Sequence, residues 1–196
     1  SAPIPMKGPS NGGTLDALAK ATSTCRACGL SAGRTTVVFG AGSAKADLMI
    51  VGEAPGHYED LRGEPFVGRS GQLLTKMLSA IGFERADVYI TNVVKCRPPE
   101  NRSPAADEIA ACSPVLHRQL ELVGPKAILT LGNFASQTLL ETDEGISKIR
   151  GSIRAYRGVP LVPTYHPAAL LRNPHLKKDS WEDLKTLCKV MGRNVP

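Results

Sequence analysis

Four cysteines, a carboxylate, an aromatic ring, an amide and an imidazole are the residues of this chain whose types and spacing could do chemistry. Cys25 and Cys28 form a C-x2-C pair in TCRAC, while Cys96 lies in KCRPP and Cys112 in AACSP, sixteen residues further on with fifteen between them. C-x2-C pairs recur at metal sites. The bland alternative is four packed thiols, because a free cysteine behaves as a small hydrophobe. Structural zinc takes four thiolates but commonly through two tight pairs, whereas an iron–sulfur cluster takes four at wider spacings. The spread of Cys96 and Cys112 favours a cluster and leaves zinc open. Cys188 falls on an apolar helical stripe and reads as core filler.

The other candidates fall in loops. Gly52-Glu53-Ala54-Pro55-Gly56 puts a carboxylate just past an apolar run, with Glu59 and Asp60 soon after. A lone acid there would be an ordinary solvated loop residue. Phe66, in GEPFVGRSG, has no periodic stripe to explain it and suggests a lined pocket, since aromatic rings in nucleic-acid sites stack on bases. Asn92 sits inside the apolar run YITNVV. Its amide must find partners or cost about 1–3 kcal/mol. It is either a structural amide bonded to loop backbone or a reader offering one donor beside one acceptor. That pair fits the N3–H and O4 edge of uracil, and cytosine presents the opposite polarity. His166, in Tyr165-His166-Pro167, follows another apolar run and could reach the same pocket. Leu170, Leu171 and Arg172 come next, with Lys177 and Lys178 behind them. They read as a wedge and phosphate-binding segment, or as a helix start with a solvated basic face.

These residues need a scaffold, and strand and helix signals alternate along the chain. Apolar runs at 47–52, 88–94, 126–132 and 158–163 read as strands; the prolines of the last suggest a sheet edge or strand end. Helical periodicity covers 72–81, 133–140 and Trp181 to Met191. Another helix is expected from Ser103-Pro104 through Val123, kinked or split at Pro114. The stretch from Gly52 to Gly71 is too rich in Gly and Pro for regular structure, and GAGSAK at 40–45 reads as a turn. Such alternation implies a parallel sheet between helix layers, with ligands at the carboxyl ends of the strands.

With 196 residues, 42% hydrophobic and 21% charged, the chain suits one compact domain with its own core. No apolar stretch reaches the roughly 18 residues of a membrane span, so a soluble protein is expected. The net charge of +6 favours polyanionic partners without proving one. Residues 1–13, SAPIPMKGPSNGG, read as a flexible tail without the features of a secretory signal. Five cysteines, an odd number, argue for a reducing, cytoplasmic setting.

Taken in order, TCRAC, GEAPG, EDLRGEPFVGRSGQLL, VYITNVVKCRPPENRSP, ILTLG and YHPAALLRNP resemble the family 4 uracil-DNA glycosylases, the iron–sulfur type. The resemblance spans most of the chain. It implies a three-layer α/β/α sandwich around a four-stranded parallel sheet, as a single glycosylase domain over 14–196. It implies a [4Fe–4S] cluster of structural role on Cys25, Cys28, Cys96 and Cys112. It also implies Phe66 stacking on a flipped uracil, Asn92 reading its edge, His166 near O2 of the leaving base and Glu53 as the catalytic carboxylate. Ala54 and Gly56 would line the same loop; related families carry a carboxylate at the position matching Ala54. Glu59 is a second acidic candidate, beside the C5 edge. Single- and double-stranded DNA containing uracil would be the substrate, free uracil and an abasic site the products, and a monomer the working form, beside the nucleoid if the source is prokaryotic. KCRPPENRSP lacks the basic, His-bearing insertion by which a related group traps uracil covalently, so turnover is expected. The alternative is a non-catalytic uracil- or DNA-binding module, which would need neither Glu53 nor His166.

Overall fold

A computed structural model describes residues 13–196, so the tail expected over 1–13 lies, apart from Gly13, outside the described residues. Helix α1 (Leu15–Thr22) starts at Thr14, whose hydroxyl accepts from the Ala17 amide at 3.1 Å. After the C-x2-C pair come strand β1 (Ala41–Gly42) and strand β2 (Leu48–Gly52), the latter wholly buried. Helices α2 (His57–Arg62) and α3 (Arg69–Ala80) lead to β3 (Tyr89–Asn92), then α4 (Ala106–Val123), β4 (Ala127–Leu131) and α5 (Gly132–Leu140). The chain closes through α6 (Ile146–Ile149), β5 (Arg154–Tyr156), β6 (Val159–Thr164), α7 (Pro167–Arg172) and α8 (Lys177–Val190).

The strands lie in the order β1-β3-β2-β4-β6-β5. The inner four are parallel and the two edge strands antiparallel, so the sheet is mixed and six-stranded. A four-stranded parallel sheet describes its centre only. β1 and β5 are two and three residues long, too short for a period-2 pattern to register, and β1 lies within the expected turn. β6 is not an edge: Pro160 and Pro163 each remove a donor, yet the strand pairs with β4 on one side and β5 on the other.

Buried on both faces, β2 divides its side chains by simple alternation. Met49 and Val51 join Leu116, Leu120 and Ala135 on the α4–α5 side; Leu48 and Ile50 join Leu74, Leu78, Leu184 and Leu187 on the α3–α8 side. Each such leucine removed from water contributes about 1.5–3 kcal/mol, which clamps the three layers. Cys188 is in the second core, as expected.

Two further expectations are corrected. α4 is not split at Pro114, and it starts at Ala106, where the Glu108 carboxylate accepts from the Ala105 amide at 2.8 Å and does the capping expected of Ser103. Packing along both sides of Pro114 outweighs one missing hydrogen bond. The Gly- and Pro-rich stretch contains α2 because Glu59, at its third position, accepts from the Gly56 amide at 3.1 Å and closes the first turn. Among the described residues, no helix is long and apolar enough to cross a membrane.

Candidate active site

Parallel pairing brings three of the candidates to the same end of the sheet. Glu53 follows β2, Asn92 ends β3 and His166 follows β6. With Ala54, Gly56, Glu59 and Phe66 they line one cavity of about 440 Å³, within the range of small-ligand sites. Register makes the approach close: Gly52 pairs with Asn92. A Cβ at Gly52 would stand 2.5 Å from both the Asn92 Oδ1 and the Phe66 Cζ, so ring and amide meet over a residue that has no side chain. Gly52→Ala is expected to displace both and lower turnover on the cavity's ligand by about 10²-fold, since a 1 Å misplacement costs on that order. Comparing single-turnover rates of variant and parent, with circular dichroism to show the fold intact, checks it; an unchanged rate would clear Gly52 of this role.

Phe66 is held with φ +53°, in the left-handed region that bulky residues avoid. Arg85 secures it, donating to the carbonyls of Phe66 and Pro65 at 2.8 Å each. The ring stacks near the His166 imidazole, with centroids 5.6 Å apart and planes 29° from parallel. Asn92 is 1% exposed. Its Oδ1 alone, among buried side-chain oxygens and nitrogens of the described residues, has no hydrogen-bond partner. Leaving such an acceptor unmet costs about 1–3 kcal/mol, and Asn92 is one of the residues that line the cavity.

His166 is the N-cap of α7: its Nδ1 accepts from the Ala168 amide at 3.0 Å. The proton of the neutral ring therefore sits on Nε2. Burial first, then the nearby Arg172 cation, pushes the imidazole down to about 4. At neutral pH it is a neutral donor. Glu53 goes the other way: burial raises its carboxyl above the ordinary range, and the Ser103 hydroxyl and Arg172 pull it back only in part.

Glu59 reaches the cavity, but its oxygens are committed to backbone. Oε1 accepts from Gly56, and Oε2 accepts from Val67 at 2.9 Å and Gly68 at 2.8 Å. It braces the Glu53 loop against the Phe66 loop. The expected wedge needs correction as well. Leu170 is 1% exposed and lines an apolar cleft with Leu73, Met77 and Leu184, where α7 meets α3. Leu171 is half-buried and Arg172 exposed at the cavity wall. Sequence reasoning missed Arg85, which carries no local signal, and the wall formed by Pro98, Asn101, Arg102 and Ser103. The cation-bearing RPPENRS run beside Cys96 was the available hint. Arg102 is fixed there by Glu108 through contacts of 2.7 and 2.8 Å.

The four cysteines line a second cavity, walled mainly by Leu30, Val37, Val94 and Val115. Arg34 donates to the Cys96 Sγ at 3.5 Å and to the Cys25 carbonyl at 2.6 Å. The Leu30 and Lys95 amides face the sulfurs of Cys28 and Cys112. Burial holds the thiols of Cys28 and Cys112 above the ordinary range and pushes Cys96 up to about 11. A bound cation would offset that burial cost and let them ligate as thiolates. Among the described residues, no three His, Cys, Asp or Glu side chains converge closely enough to grip a single ion. Donor chemistry fits a cluster: four sulfurs, hydrogen bonds to sulfur and no carboxylate on the wall.

A profile of the Uracil DNA glycosylase superfamily matches residues 39–185. The chain is 43% identical to a type-4 uracil-DNA glycosylase of Archaeoglobus fulgidus, over 93% of this chain and 96% of that relative. It is 46% identical to the type-4 uracil-DNA glycosylase of Sulfurisphaera tokodaii, over 89% of this chain and 83% of that protein. That of Saccharolobus solfataricus is also 46% identical, over 91% and 87%.

Proposed function

This chain belongs to the Uracil DNA glycosylase superfamily, and from that membership we propose how its cavity works. The protein is a monofunctional uracil-DNA glycosylase, an N-glycosyl hydrolase of DNA repair that acts on uracil-containing DNA and releases uracil, the first step of base excision repair. The observation that carries the reading is the orphaned Asn92 acceptor inside the cavity that Glu53 and His166 share.

Uracil leaves the helix, at a cost of a few kcal/mol, and stacks on Phe66. Asn92 accepts from N3–H through Oδ1 and donates to O4 through Nδ2. As the bond from C1′ to N1 lengthens, its electron pair goes to the base and positive charge grows on the sugar. His166 donates from Nε2 to O2, where the negative charge collects. Glu53, ionised, faces the sugar, orients a water and accepts its proton as the water oxygen bonds to C1′. Both effects act on charge that exists only in the transition state, which is what raises the rate. Glu59 shapes the wall at C5. Leu171 fills the gap left by the base, Arg172 and Arg102 hold the flanking phosphates, and a monomer acting on single and double strands suffices.

Cys25, Cys28, Cys96 and Cys112 would hold a [4Fe–4S] cluster. Bound there, it supplies a cross-link between the segment after α1, the segment after β3 and helix α4. Freshly purified protein is expected to be brown, to carry about four irons per chain, and to release free uracil from a uracil-containing oligonucleotide while leaving an alkali-labile abasic site. Iron-loaded protein that releases no uracil would overturn the function; colourless protein with bound zinc and full activity would overturn the cluster.

A further inference from the structure

Lys95 is 1% exposed, the largest fully buried side chain among the described residues. Among those residues no carboxylate lies within ion-pair distance of it. Its Nζ donates to the Thr91 Oγ1 at 2.8 Å and to the backbone carbonyl of Asn92. An ammonium withdrawn from water needs opposite charge nearby or costs several kcal/mol, and neutral oxygens do not supply it. The Cys112 and Cys96 side chains are the groups whose charge acts on it, and they become thiolates when a cluster is bound.

The five residues from Asn92 to Cys96 join the two cavities in one run of backbone. The Val93 and Val94 amides donate to the carbonyls of Gly52 at 2.9 Å and Glu53 at 3.2 Å, so the same segment that ends in a cluster cysteine holds the loop of the catalytic carboxylate. At Lys95 the amide faces the Cys112 sulfur and the carbonyl accepts from Val38 at 2.7 Å. Its side chain then folds back three residues to Asn92, whose own side chain enters the base pocket. Four thiolates on a four-iron cluster carry net negative charge, and reduction adds to it.

We propose that Lys95 is a positioning residue with two ends: its ammonium is the buried counter-charge of the thiolate-bound cluster, and the same ammonium pins the Asn92 carbonyl so that the amide is held ready for uracil. The inference rests on the reading of the two cavities given above. Charge at the cluster thereby sets how firmly the base reader is held, although no cluster atom touches the pocket.

Lys95→Met keeps the length and removes the charge. In iron-loaded protein, redox titration is expected to place the cluster's midpoint potential lower than in the parent, because a lost positive charge favours the more oxidised form. Single-turnover uracil release is expected to fall about tenfold, the scale of one hydrogen bond from a charged group. In an Asn92→Ala background the same change is expected to cost less than about twofold, because a residue acting through Asn92 has nothing left to act on. An unchanged potential, or equal losses in both backgrounds, overturns the inference. Should Lys95→Met not accumulate folded, Thr91→Val decides it by removing the other oxygen that holds the ammonium: a rate loss seen only when Asn92 is present, at unchanged potential, supports the link, and an equal loss or none overturns it. The parent separates the two levels. A parent lacking iron or uracil release defeats the reading of the site, whereas a working parent with a silent Lys95 variant defeats only this proposal.

Discussion

Replacing His166 by alanine is expected to lower the single-turnover rate of uracil release by about 10²–10³-fold, the scale on which loss of one donor to a developing oxyanion acts. Binding of uracil-containing DNA weakens far less, because the ring's partner in the ground state is only a weakly charged carbonyl. The orientation behind this is set by the fold. The Ala168 amide occupies Nδ1, which leaves Nε2–H for the base, and Phe66 lies against the ring. A fixed donor needs no reorganisation as charge develops. His166→Gln retains a donor and is expected to recover part of the loss; equal defects in both variants would count against a donor role.

Glu53→Gln is expected to cost a similar factor and, in addition, to change the pH profile. A carboxyl raised by burial is ionised, and useful, only above its raised value. Activity is therefore lost as pH falls through that value, on a limb lying above the ordinary glutamate pKa of about 4.5. His166, at about 4, is still neutral over the upper part of that limb. The limb is expected to vanish in Glu53→Gln and to survive in His166→Gln. Rate measurements from pH 4 to 8 on the two variants distinguish the groups, and an acid limb that persists in Glu53→Gln would assign it elsewhere.

What the sequence made legible follows from what leaves a local trace. Central strands such as Leu48–Gly52 are unbroken apolar runs because both faces are buried, and residues just past such runs, Glu53 and His166, inherit a functional expectation from the sheet alone. The edge strands left no trace because two or three residues cannot carry a period. Leu170 was misread because an apolar pair beside a cation looks alike whether it points to solvent or to α3. Glu59 shows the same limit for polar groups: an acid in a loop announces a charge, while the three backbone amides it accepts from belong to the folded chain. Lys95 is the extreme case, since an exposed lysine would be written with the same letter.

The base that is released is expected to change with one atom of Asn92. With 1% exposure, a carboxyl placed there by Asn92→Asp is pushed toward its neutral form by burial. It then offers one O–H donor and one carbonyl acceptor that exchange places by a half-turn of the group. Uracil is accepted in one arrangement, through N3–H and O4, and cytosine in the other, through N3 and the exocyclic amine. The parent amide, with Oδ1 beside Gly52, offers uracil's polarity and not cytosine's. A site built around a hydrogen bond rejects the wrong partner by about 10⁴–10⁵-fold. The variant is therefore expected to narrow the preference for uracil over cytosine by at least about 10²-fold, with cytosine release from a mismatched or single-stranded oligonucleotide appearing where the parent has none. As pH rises and the new carboxyl ionises, it becomes acceptor-only, so release of both bases declines. An unchanged preference would mean that the base edge is read by other groups, and the unpartnered oxygen in the pocket would have to answer to a different ligand.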